Sequence, residues 1–416
     1  MNIKNLPSII LLLCLPFFLM AQDQYCGTHQ PISSEKNIDE TTLHQTQELE
    51  AFTQRWISEN QNKVSLREVI TIPVVVHIVW FDESENFTDL EIEAQIDGLT
   101  ADFRKRNENA SIIPSVFQPL AADVEIEFCL ATVYEGIKTN GIVRKKTPFP
   151  RIGERRFSGN QRSICYDDEG GSDAWDPDEY VNIWVGQSGL LGEATFPGMA
   201  TSKYEDGVFI DPSAFGFFCS TTSNFFLGRT LTHEMGHFLN LYHIWGENGC
   251  DIDDFVGDTP WQDVSSSGCP SHPQVSCGSA DMFMNFMDYT NDNCMAMFTK
   301  GQKMRMLAAL DTFPRASLKN SGGCALGNTK DITLTPDDIL LFPNPASDCV
   351  HIDLDLDNDL PIKMAIFDTA GREIYANQIF VKDLRTFDIS NISNGIYFIY
   401  FESNGQVASK KLIIDK

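Results

Sequence analysis

The sequence predicts an α/β (α+β) domain organised around one long helix, followed by a small all-β sandwich domain. Three observations support this fold class. Residues 70–80 form a β-branched run typical of a buried strand, and residues 225–239 indicate a single long helix. After a linker at 326–337, short strands separated by Ala370-Gly371 and Asn394-Gly395 turns indicate a second unit of about 80 residues.

The start of the chain is predicted to be a signal peptide, residues 1–21. Lys4 supplies a positive charge, residues 9–20 form an apolar run too short to span a membrane comfortably, and Ala21 offers a small residue for cleavage. Residues 22–62 are polar and lack apolar periodicity, which fits a pro-segment. Because no later segment is apolar enough to cross a bilayer, we expect no transmembrane segment in the mature chain.

Residues 63–325 carry the pattern of the α/β domain. Thr88 and Glu91 have the spacing of a capping box at the start of a helix. The predicted elements, in chain order, are a strand at 70–80, a helix after Thr88, strands at 124–131 and 180–185, the long helix at 225–239 and a closing helix at 302–310.

The charge balance excludes one class of partner. The chain carries 58 acidic and 31 basic residues, a net charge of −27. Since binding to a phosphate backbone needs a basic surface, we expect no nucleic-acid partner. The excess carboxylates are available for calcium, although a well-solvated acidic surface accounts for most of them.

The segment from His233 to His243 predicts a metal site. His233 and His237 lie four residues apart, on the same face of a helix, so both imidazoles can reach one ion. Glu234 lies beside the first ligand, where it can act as a general base without binding the metal. His243 becomes a third ligand only if the helix ends near residue 240, and Asn240 tolerates the left-handed conformation that such a turn requires. Three protein ligands and one open position are the catalytic form of zinc coordination.

Chance is the competing explanation for this motif. A His-Glu-x-x-His sequence arises in a chain of this composition in roughly one case in seventy, and a third histidine at this offset lowers that frequency by a further factor of about ten. We therefore predict that His233, His237 and His243 bind zinc, with Glu234 as the general base.

The same segment resembles the extended zinc-binding motif of metzincin metalloproteases. Residues 285–289 resemble the methionine turn of these enzymes, with Met287 below the metal. Over about residues 65–325 the sequence is similar to the pappalysin family, in its bacterial ulilysin-like or cytophagalysin-like branch. The matching segments are 126–131, 139–144, 228–232, 244–246, 257–260 and 294–299.

The resemblance implies roles for three further residues. Tyr289 is expected to stabilise the oxyanion that forms during peptide hydrolysis, with simple packing of its ring as the alternative. Asp254 and Thr259 are the candidate ligands of a structural calcium ion, with an ordinary turn as the alternative.

The resemblance also implies two disulfide bonds. The expected pairs are Cys250–Cys277 and Cys269–Cys294. The pairing of Cys129, Cys165, Cys219 and Cys324 stays open at this point.

Cys26-Gly27-Thr28 resembles the start of the pro-segments of this family. A thiolate at Cys26 could occupy the open position of the metal and keep a precursor inactive. The alternative is an unpaired cysteine without a role.

The sequence departs from the family pattern at two positions. Asn240 replaces the usual glycine, which the tolerance of asparagine for positive φ accommodates. Asn293 stands where relatives that prefer arginine after the scissile bond place an acid, which argues against that preference, although Asp292 is adjacent.

Residues 338–416 resemble the C-terminal sorting domain of type IX secretion substrates. The matching segments are 342–348, 367–372, 395–398 and 410–414. The resemblance implies type IX secretion machinery as a partner and a secreted protein, either released or retained at the outer-membrane surface. A sandwich that tethers the protein to its substrate is the alternative.

These inferences predict a secreted zinc metalloendopeptidase, made as a latent zymogen, that acts on protein or peptide substrates. One alternative is a zinc-binding adhesin or inactive homologue that uses the metal only structurally, but such a protein has no need of Glu234. A second is a zinc hydrolase with a non-peptide substrate, which would leave unfolded proteins uncut.

Overall fold

The computed structural model describes most of the two predicted domains. The described residues are 26–28, 40–61, 68–155, 162–216, 224–246, 249–324, 335–336, 339–354, 361–380, 385–403 and 406–416. The predicted signal peptide and nearly all of the predicted linker lie outside them.

The N-terminal domain contains one mixed sheet. Its strands and those of an adjoining hairpin are β1 Ile70–Trp80, β2 Ile126–Leu130, β3 Val133–Tyr134, β4 Ile137–Lys138, β5 Ile142–Lys146, β6 Val181–Val185, β7 Gly192–Ala194 and β8 Gly207–Ile210. The strands predicted at 70–80, 124–131 and 180–185 are confirmed as β1, β2 and β6. The sheet order is β2-β1-β6-β8-β7, with β5 also paired to β1, while β3 and β4 pair separately.

Strand β1 lies at the centre of this sheet. It pairs in parallel with β2 and β5 along one edge and with β6 along the other. Residues 72–79 are all buried, which explains the continuous β-branched run, since a parallel sheet is covered on both faces. His77 is the one polar residue among residues 72–79. Its Nδ1 lies 2.8 Å from Ser172 Oγ, and its Nε2 lies 3.0 Å from Asn182 Oδ1. Burial lowers the pKa of His77 to about 4.

Strand β7 forms the other edge of the sheet. It runs antiparallel to β8, while β6 and β8 are parallel. Its second edge pairs with residues 26–28, and the helix that carries the predicted metal ligands packs against both β7 and β8.

Four α-helices surround the sheet in the described part of the chain. They are α1 Glu40–Asn60, α2 Asp89–Phe103, α3 Arg229–Phe238 and α4 Lys300–Ala309. The predicted capping box of α2 is present, and Thr299 and Gln302 form a second one on α4. Helix α1 was not predicted, because few of its residues are apolar, although Thr53 and Trp56 are buried.

A disulfide closes the domain at its C-terminal end. Cys129, in β2, is bonded to Cys324, and Thr132 N donates to Gly323 O at 2.8 Å nearby. The last described residues of the domain are therefore joined covalently to the central sheet.

The C-terminal domain is all-β, as predicted. Its strands are β9 Ile339–Phe342, β10 Cys349–Leu354, β11 Pro361–Asp368, β12 Glu373–Phe380, β13 Arg385–Asp388, β14 Gly395–Ser403 and β15 Gln406–Ile414. They form antiparallel sheets of order β13-β10-β9 and β12-β11-β14-β15. Ile352, Ile366 and Phe401 from both sheets belong to one buried core.

Within the described residues, no helix combines the length and apolar character that crossing a membrane requires.

Candidate metal centre

Helix α3 carries the predicted metal ligands but begins later than predicted. A start at residue 225 is wrong, because Gly228 has a left-handed φ of 63° and the helix begins at Arg229. A Cβ atom at position 228 would lie 2.2 Å from Gln95 Oε1, so the position requires glycine. All residues of α3 are buried, which means that its polar side chains face protein groups or a bound ion.

Three imidazoles converge at the end of α3. His237 Nε2 lies 3.0 Å from both His233 Nε2 and His243 Nε2, which are 3.2 Å apart. His233 Nδ1 donates to Phe286 O and His237 Nδ1 donates to Leu241 O, each at 2.7 Å, so their Nε2 atoms keep free lone pairs.

Such an arrangement calls for a cation. Burial lowers the pKa of His233 to about 4 and holds the pKa values of His237 and His243 well below the usual range, so the rings are neutral at pH 7. Nitrogen lone pairs at this separation repel one another unless an ion lies between them. Ligands about 2.0–2.1 Å from a tetrahedral zinc ion would be about 3.3 Å apart, so the triad fits zinc.

The turn that brings His243 back to the site is made at Asn240. Its φ is 72°, which confirms the left-handed conformation predicted from the spacing of the histidines. Leu241 N donates to Gly236 O at 2.9 Å, which ends the helix, and Arg305 Nε donates to Asn240 O at 2.7 Å.

The methionine turn supports this triad from the other side. Met287 is buried, and a Cβ atom at Gly236 would lie 2.5 Å from its sulfur atom, so α3 approaches Met287 closely only because residue 236 is glycine. Ile244 N donates to Met287 O at 3.4 Å, and the neighbouring Phe286 carbonyl orients His233. The turn therefore fixes the positions of two of the three imidazoles.

Glu234 lies between α3 and the edge strand β7. It is fully buried, and a Cβ atom at Gly192 would lie 2.7 Å from Glu234 Cγ. Thr28 Oγ1 accepts from Ala194 N at 2.8 Å and therefore directs its proton to Glu234 Oε2, 2.7 Å away. Burial raises the pKa of Glu234 to about 8, although hydrogen bonds from Thr28 and Cys26 oppose that shift.

Cys26 completes the cluster. Its Sγ atom and one nitrogen of each of His233, His237 and His243 all lie within 4.8 Å of one another. The backbone beside it follows β7 in parallel, with Gly27 N donating to Gly192 O at 2.9 Å. Burial and the nearby Glu234 raise the pKa of the Cys26 thiol, so a thiolate at this position needs a cation beside it.

Tyr289 borders the same space. Its ring centroid lies 5.0 Å from that of His243 and 5.6 Å from that of His233. Trp245 holds it in place at 4.7 Å and stacks on His243 at 4.2 Å. No role was predicted for Trp245 from the sequence, where it was named only within the matching segment 244–246. An aromatic residue two positions after a metal ligand can orient that ligand, and this spacing could have indicated the role.

A small cavity leads from the metal ligands to Asp292. It is lined by Cys26, Leu191, Phe225, Thr230, His233, Glu234, Asp288, Tyr289, Thr290, Asp292 and Met295. Asp292 is buried, and its Oδ2 atom accepts from Leu227 N at 2.7 Å and Arg229 N at 3.3 Å. Its Oδ1 atom has no hydrogen-bond partner among the described residues. Burial raises the pKa of Asp292 to about 6.

Asn293 does not line this cavity. Its side chain is exposed, and its backbone oxygen accepts from Asn109 Nδ2 at 2.6 Å on the surface. A carboxylate in this cavity belongs to the preceding residue, Asp292.

Disulfide bonds staple the loops that follow α3. The pairs are Cys250–Cys277 and Cys269–Cys294, as the family resemblance implies. Cys165, whose pairing the sequence left open, is a buried free thiol, and Cys219 lies outside the described residues.

The candidate calcium ligands lie together in these loops. Thr259 Oγ1 is 2.8 and 2.9 Å from the two carboxylate oxygens of Asp254 and 2.7 Å from Val256 O. The Thr259 hydroxyl has one proton, so it can donate a hydrogen bond to only one of these three oxygens at a time. Burial raises the pKa of Asp254 well above its usual range.

Two family models match the chain. The M43 peptidase model, described as pregnancy-associated plasma protein-A, matches residues 165–311. The model of the secretion system C-terminal sorting domain matches residues 340–415.

Solved structures resemble the chain over a longer range. Mature mirolysin of Tannerella forsythia, in complex with a cleaved peptide, is 41% identical, with 61% of this chain and 96% of that chain covered and a TM-score of 0.56. A mutant of Tannerella forsythia promirolysin is 37% identical, with 71% of this chain and 97% of that chain covered and a TM-score of 0.57.

Among curated proteins, an extracellular metalloprotease of Arthroderma otae is 43% identical over 132 residues, 30% of this chain and 48% of the relative. The chain thus spans about half the length of this relative. Because the mirolysin match extends over 96% of that protein and the M43 model spans the metal centre, the chain belongs to the pappalysin (M43) family of metalloproteases and carries a secretion-system sorting domain in its C-terminal part.

Proposed function

We propose that the chain is a secreted zinc metalloendopeptidase that is made as a latent precursor. Family membership implies a catalytic metal. The observation that carries the proposal is the convergence of three neutral imidazoles beside the buried carboxylate of Glu234. In a purely structural zinc site all four protein ligands would be permanent, whereas Cys26 belongs to the predicted pro-segment, and a structural site would not need a glutamate at this position.

His233, His237 and His243 would hold the ion. When bound, zinc would polarise the scissile carbonyl and lower the pKa of a water molecule. Glu234 would accept the proton of the attacking water and deliver it to the leaving amine, because its carboxylate lies beside the first metal ligand without being a ligand itself. The hydroxyl of Tyr289 would donate a hydrogen bond to the oxyanion of the tetrahedral intermediate.

The cavity at Asp292 supports a preference for a basic residue after the scissile bond. His233 and Glu234, beside which the reacting carbonyl must be placed, also line this cavity. A guanidinium or ammonium group that enters the cavity meets the Oδ1 atom of Asp292, which accepts no other hydrogen bond from the described residues. The position of Asp292 in this cavity supports the preference although Asn293 is not an acid.

Latency rests on the tripeptide Cys26-Gly27-Thr28. The Cys26 thiolate would serve as a further ligand of the metal. Gly27 pairs with the edge of β7, and the Thr28 hydroxyl donates a hydrogen bond to Glu234, the proposed general base. The match to promirolysin covers a further tenth of this chain beyond the match to mature mirolysin, which supports a removable pro-segment of about forty residues.

A calcium ion at Asp254 and Thr259 is part of the proposal. The close oxygen cluster around the Thr259 hydroxyl and the burial of Asp254 both favour a cation there. Calcium should then raise the midpoint of thermal unfolding, and Asp254→Asn should abolish that response. An equal response from both proteins would contradict this part of the proposal.

The C-terminal domain supports export by type IX secretion machinery and an extracellular location, either free or at the outer-membrane surface. Protein or peptide substrates follow from the peptidase family.

The test is cleavage of denatured gelatin by the chain after removal of the pro-segment, with and without a zinc chelator. We expect chelator-sensitive cleavage, restored by added zinc. Glu234→Gln should abolish cleavage and leave the bound zinc unchanged, because glutamine keeps the shape of the side chain but cannot take up a proton. Absence of cleavage by a zinc-loaded wild-type chain would refute the proposal.

A further inference from the structure

Helix α1 contacts the rest of the domain through several polar side-chain groups. Glu50, Thr53 and Trp56 are spaced by three residues and lie on one side of the helix. The Glu50 carboxylate pairs with both terminal nitrogens of Arg305, at 2.9 and 2.6 Å, and Arg305 is fully buried. Trp56 Nε1 donates to Asp311 Oδ2 at 2.6 Å. Each of these contacts depends on one side chain of α1.

The surface that receives α1 lies directly behind the third metal ligand. Arg305 joins the two, because its Nε donates to Asn240 O while its terminal nitrogens hold Glu50. Asn240 is the left-handed residue that directs His243 to the metal, and its Nδ2 lies 3.4 Å from Thr53 Oγ1.

Aromatic rings frame the same arginine. The Arg305 guanidinium lies 4.9 Å from the ring centroid of Tyr242, one residue before His243, and 5.7 Å from that of Phe255. We call the surface formed by Asn240, Tyr242, Phe255, Arg305 and Asp311 the pro-helix groove.

Cutting the chain after α1 would not break these contacts. Arg305 is fully buried while α1 is docked. If α1 then left, this arginine would lose its carboxylate partner, and breaking such a charge pair is unfavourable. The groove therefore favours a helix that carries a carboxylate and, six residues later, a tryptophan.

We propose that the pro-helix groove is a binding site for such an amphipathic helix, and that α1 itself remains there as a separate peptide after the chain has been cut on both sides of it. Its docking braces the Asn240 turn and slows loss of the metal. This inference rests on the proposed function only in so far as the pro-segment is cleaved.

The experiment uses the full chain with Glu234→Gln, which prevents autolysis. Recognition sequences for a site-specific protease are placed within residues 29–39 and 62–67, so that cutting separates α1 from both Cys26 and the domain. Size-exclusion chromatography and mass spectrometry then measure how much of the helix elutes with the zinc-loaded body.

We expect the wild-type helix to co-elute in a 1:1 ratio. Glu50→Gln should weaken its retention at least tenfold, because the amide leaves Arg305 without a negative partner. Glu48→Gln is the matched control, since Glu48 is exposed and its carboxylate lies 3.5 Å from His44 Nδ1 of the same helix. Release of zinc to a chelator should be several-fold faster once the helix has been displaced.

Dissociation of the wild-type helix on cutting, or equal retention of the two variants, would overturn the proposal. If the Glu50→Gln chain does not fold, synthetic peptides of residues 40–61 are titrated against the cut wild-type chain. The peptide with glutamine at position 50 should displace the resident helix at least ten times less effectively than the peptide with glutamate, and equal displacement would also overturn it. Neither measurement depends on peptidase activity, so failure of the proposed function would be recognised separately.

Discussion

Replacing Asp292 by asparagine should remove the preference for arginine after the scissile bond. Asparagine has nearly the same volume, and its amide oxygen can still accept from Leu227 N and Arg229 N, which now bond to the carboxylate at 2.7 and 3.3 Å. Its amide NH2 group would then point into the cavity, where it repels a guanidinium instead of binding it. The fold is retained while the recognition of a cation is lost.

The expected loss follows from the burial of this carboxylate. Breaking a buried, hydrogen-bonded charge pair costs about 2–5 kcal/mol. The lower part of that range applies, because one oxygen of Asp292 is already engaged and the Arg229 guanidinium lies close by. A loss of about 2–3 kcal/mol corresponds to a fall of about 30- to 150-fold in kcat/KM for a peptide with arginine at that position.

The assay compares kcat/KM for two peptides that differ only by arginine or leucine after the scissile bond. Asn293→Ala is the matched control and should keep the wild-type ratio, because that side chain is exposed outside the cavity. Burial raises the pKa of Asp292 to about 6, so the preference of the wild-type enzyme should weaken as the pH falls from 7 to 5. A ratio for Asp292→Asn within about threefold of wild type would refute the reasoning.

Three further outcomes are expected. In an uncut precursor that carries Cys26→Ser, Thr28→Val should raise the residual activity several-fold, because valine removes the hydroxyl that hydrogen-bonds to Glu234. Thr28→Ser keeps a hydroxyl and should leave the activity unchanged. Equal activities of the two variants would contradict a role of Thr28 in latency. Asn240→Ala should lower the stability of the zinc-loaded chain by about 1 kcal/mol in calorimetry, because alanine disfavours a φ of 72°. Asn240→Gly should not lower the stability. Equal stabilities of the two variants would exclude backbone strain as the cause. The pKa of His77 is about 4 in the folded chain and near 6.5 in the unfolded chain, so acidification from pH 7 to 4 should lower the free energy of unfolding by up to about 3 kcal/mol through this residue. In denaturant titrations His77→Gln should lose less stability than the wild type over this pH range. Identical losses of stability would refute the assignment.

The spacing of the histidines predicted more of the site than their identity alone. A third ligand six residues after His237 required a reversal of the chain, and that requirement selected Asn240 as the residue with positive φ, which the structure confirms. The strand at 70–80 was equally predictable, because a run of β-branched residues has few uses other than a buried parallel strand.

Features that depend on distant contacts escaped prediction. Helix α1 is stabilised by Glu50 and Trp56, whose partners follow about 255 positions later in the chain, so its own sequence gives little apolar periodicity. The different environments of Asp292 and Asn293 have a local cause. The chain makes a short 3-10 turn over Asp292–Cys294, and this turn decides which of two adjacent side chains enters the cavity.

The bond between Cys129 and Cys324 determines how the domain responds to force. Any pull on the chain beyond residue 324, by export machinery or by a protease that grips the tail, reaches the sheet at β2 through a covalent link that spans 195 positions. Hydrogen bonds such as that between Thr132 and Gly323 would otherwise yield one after another as the end of the chain was peeled away. A pull that arrives at Cys324 is therefore carried by β2, and the end of the domain cannot be peeled from the sheet unless this bond is reduced.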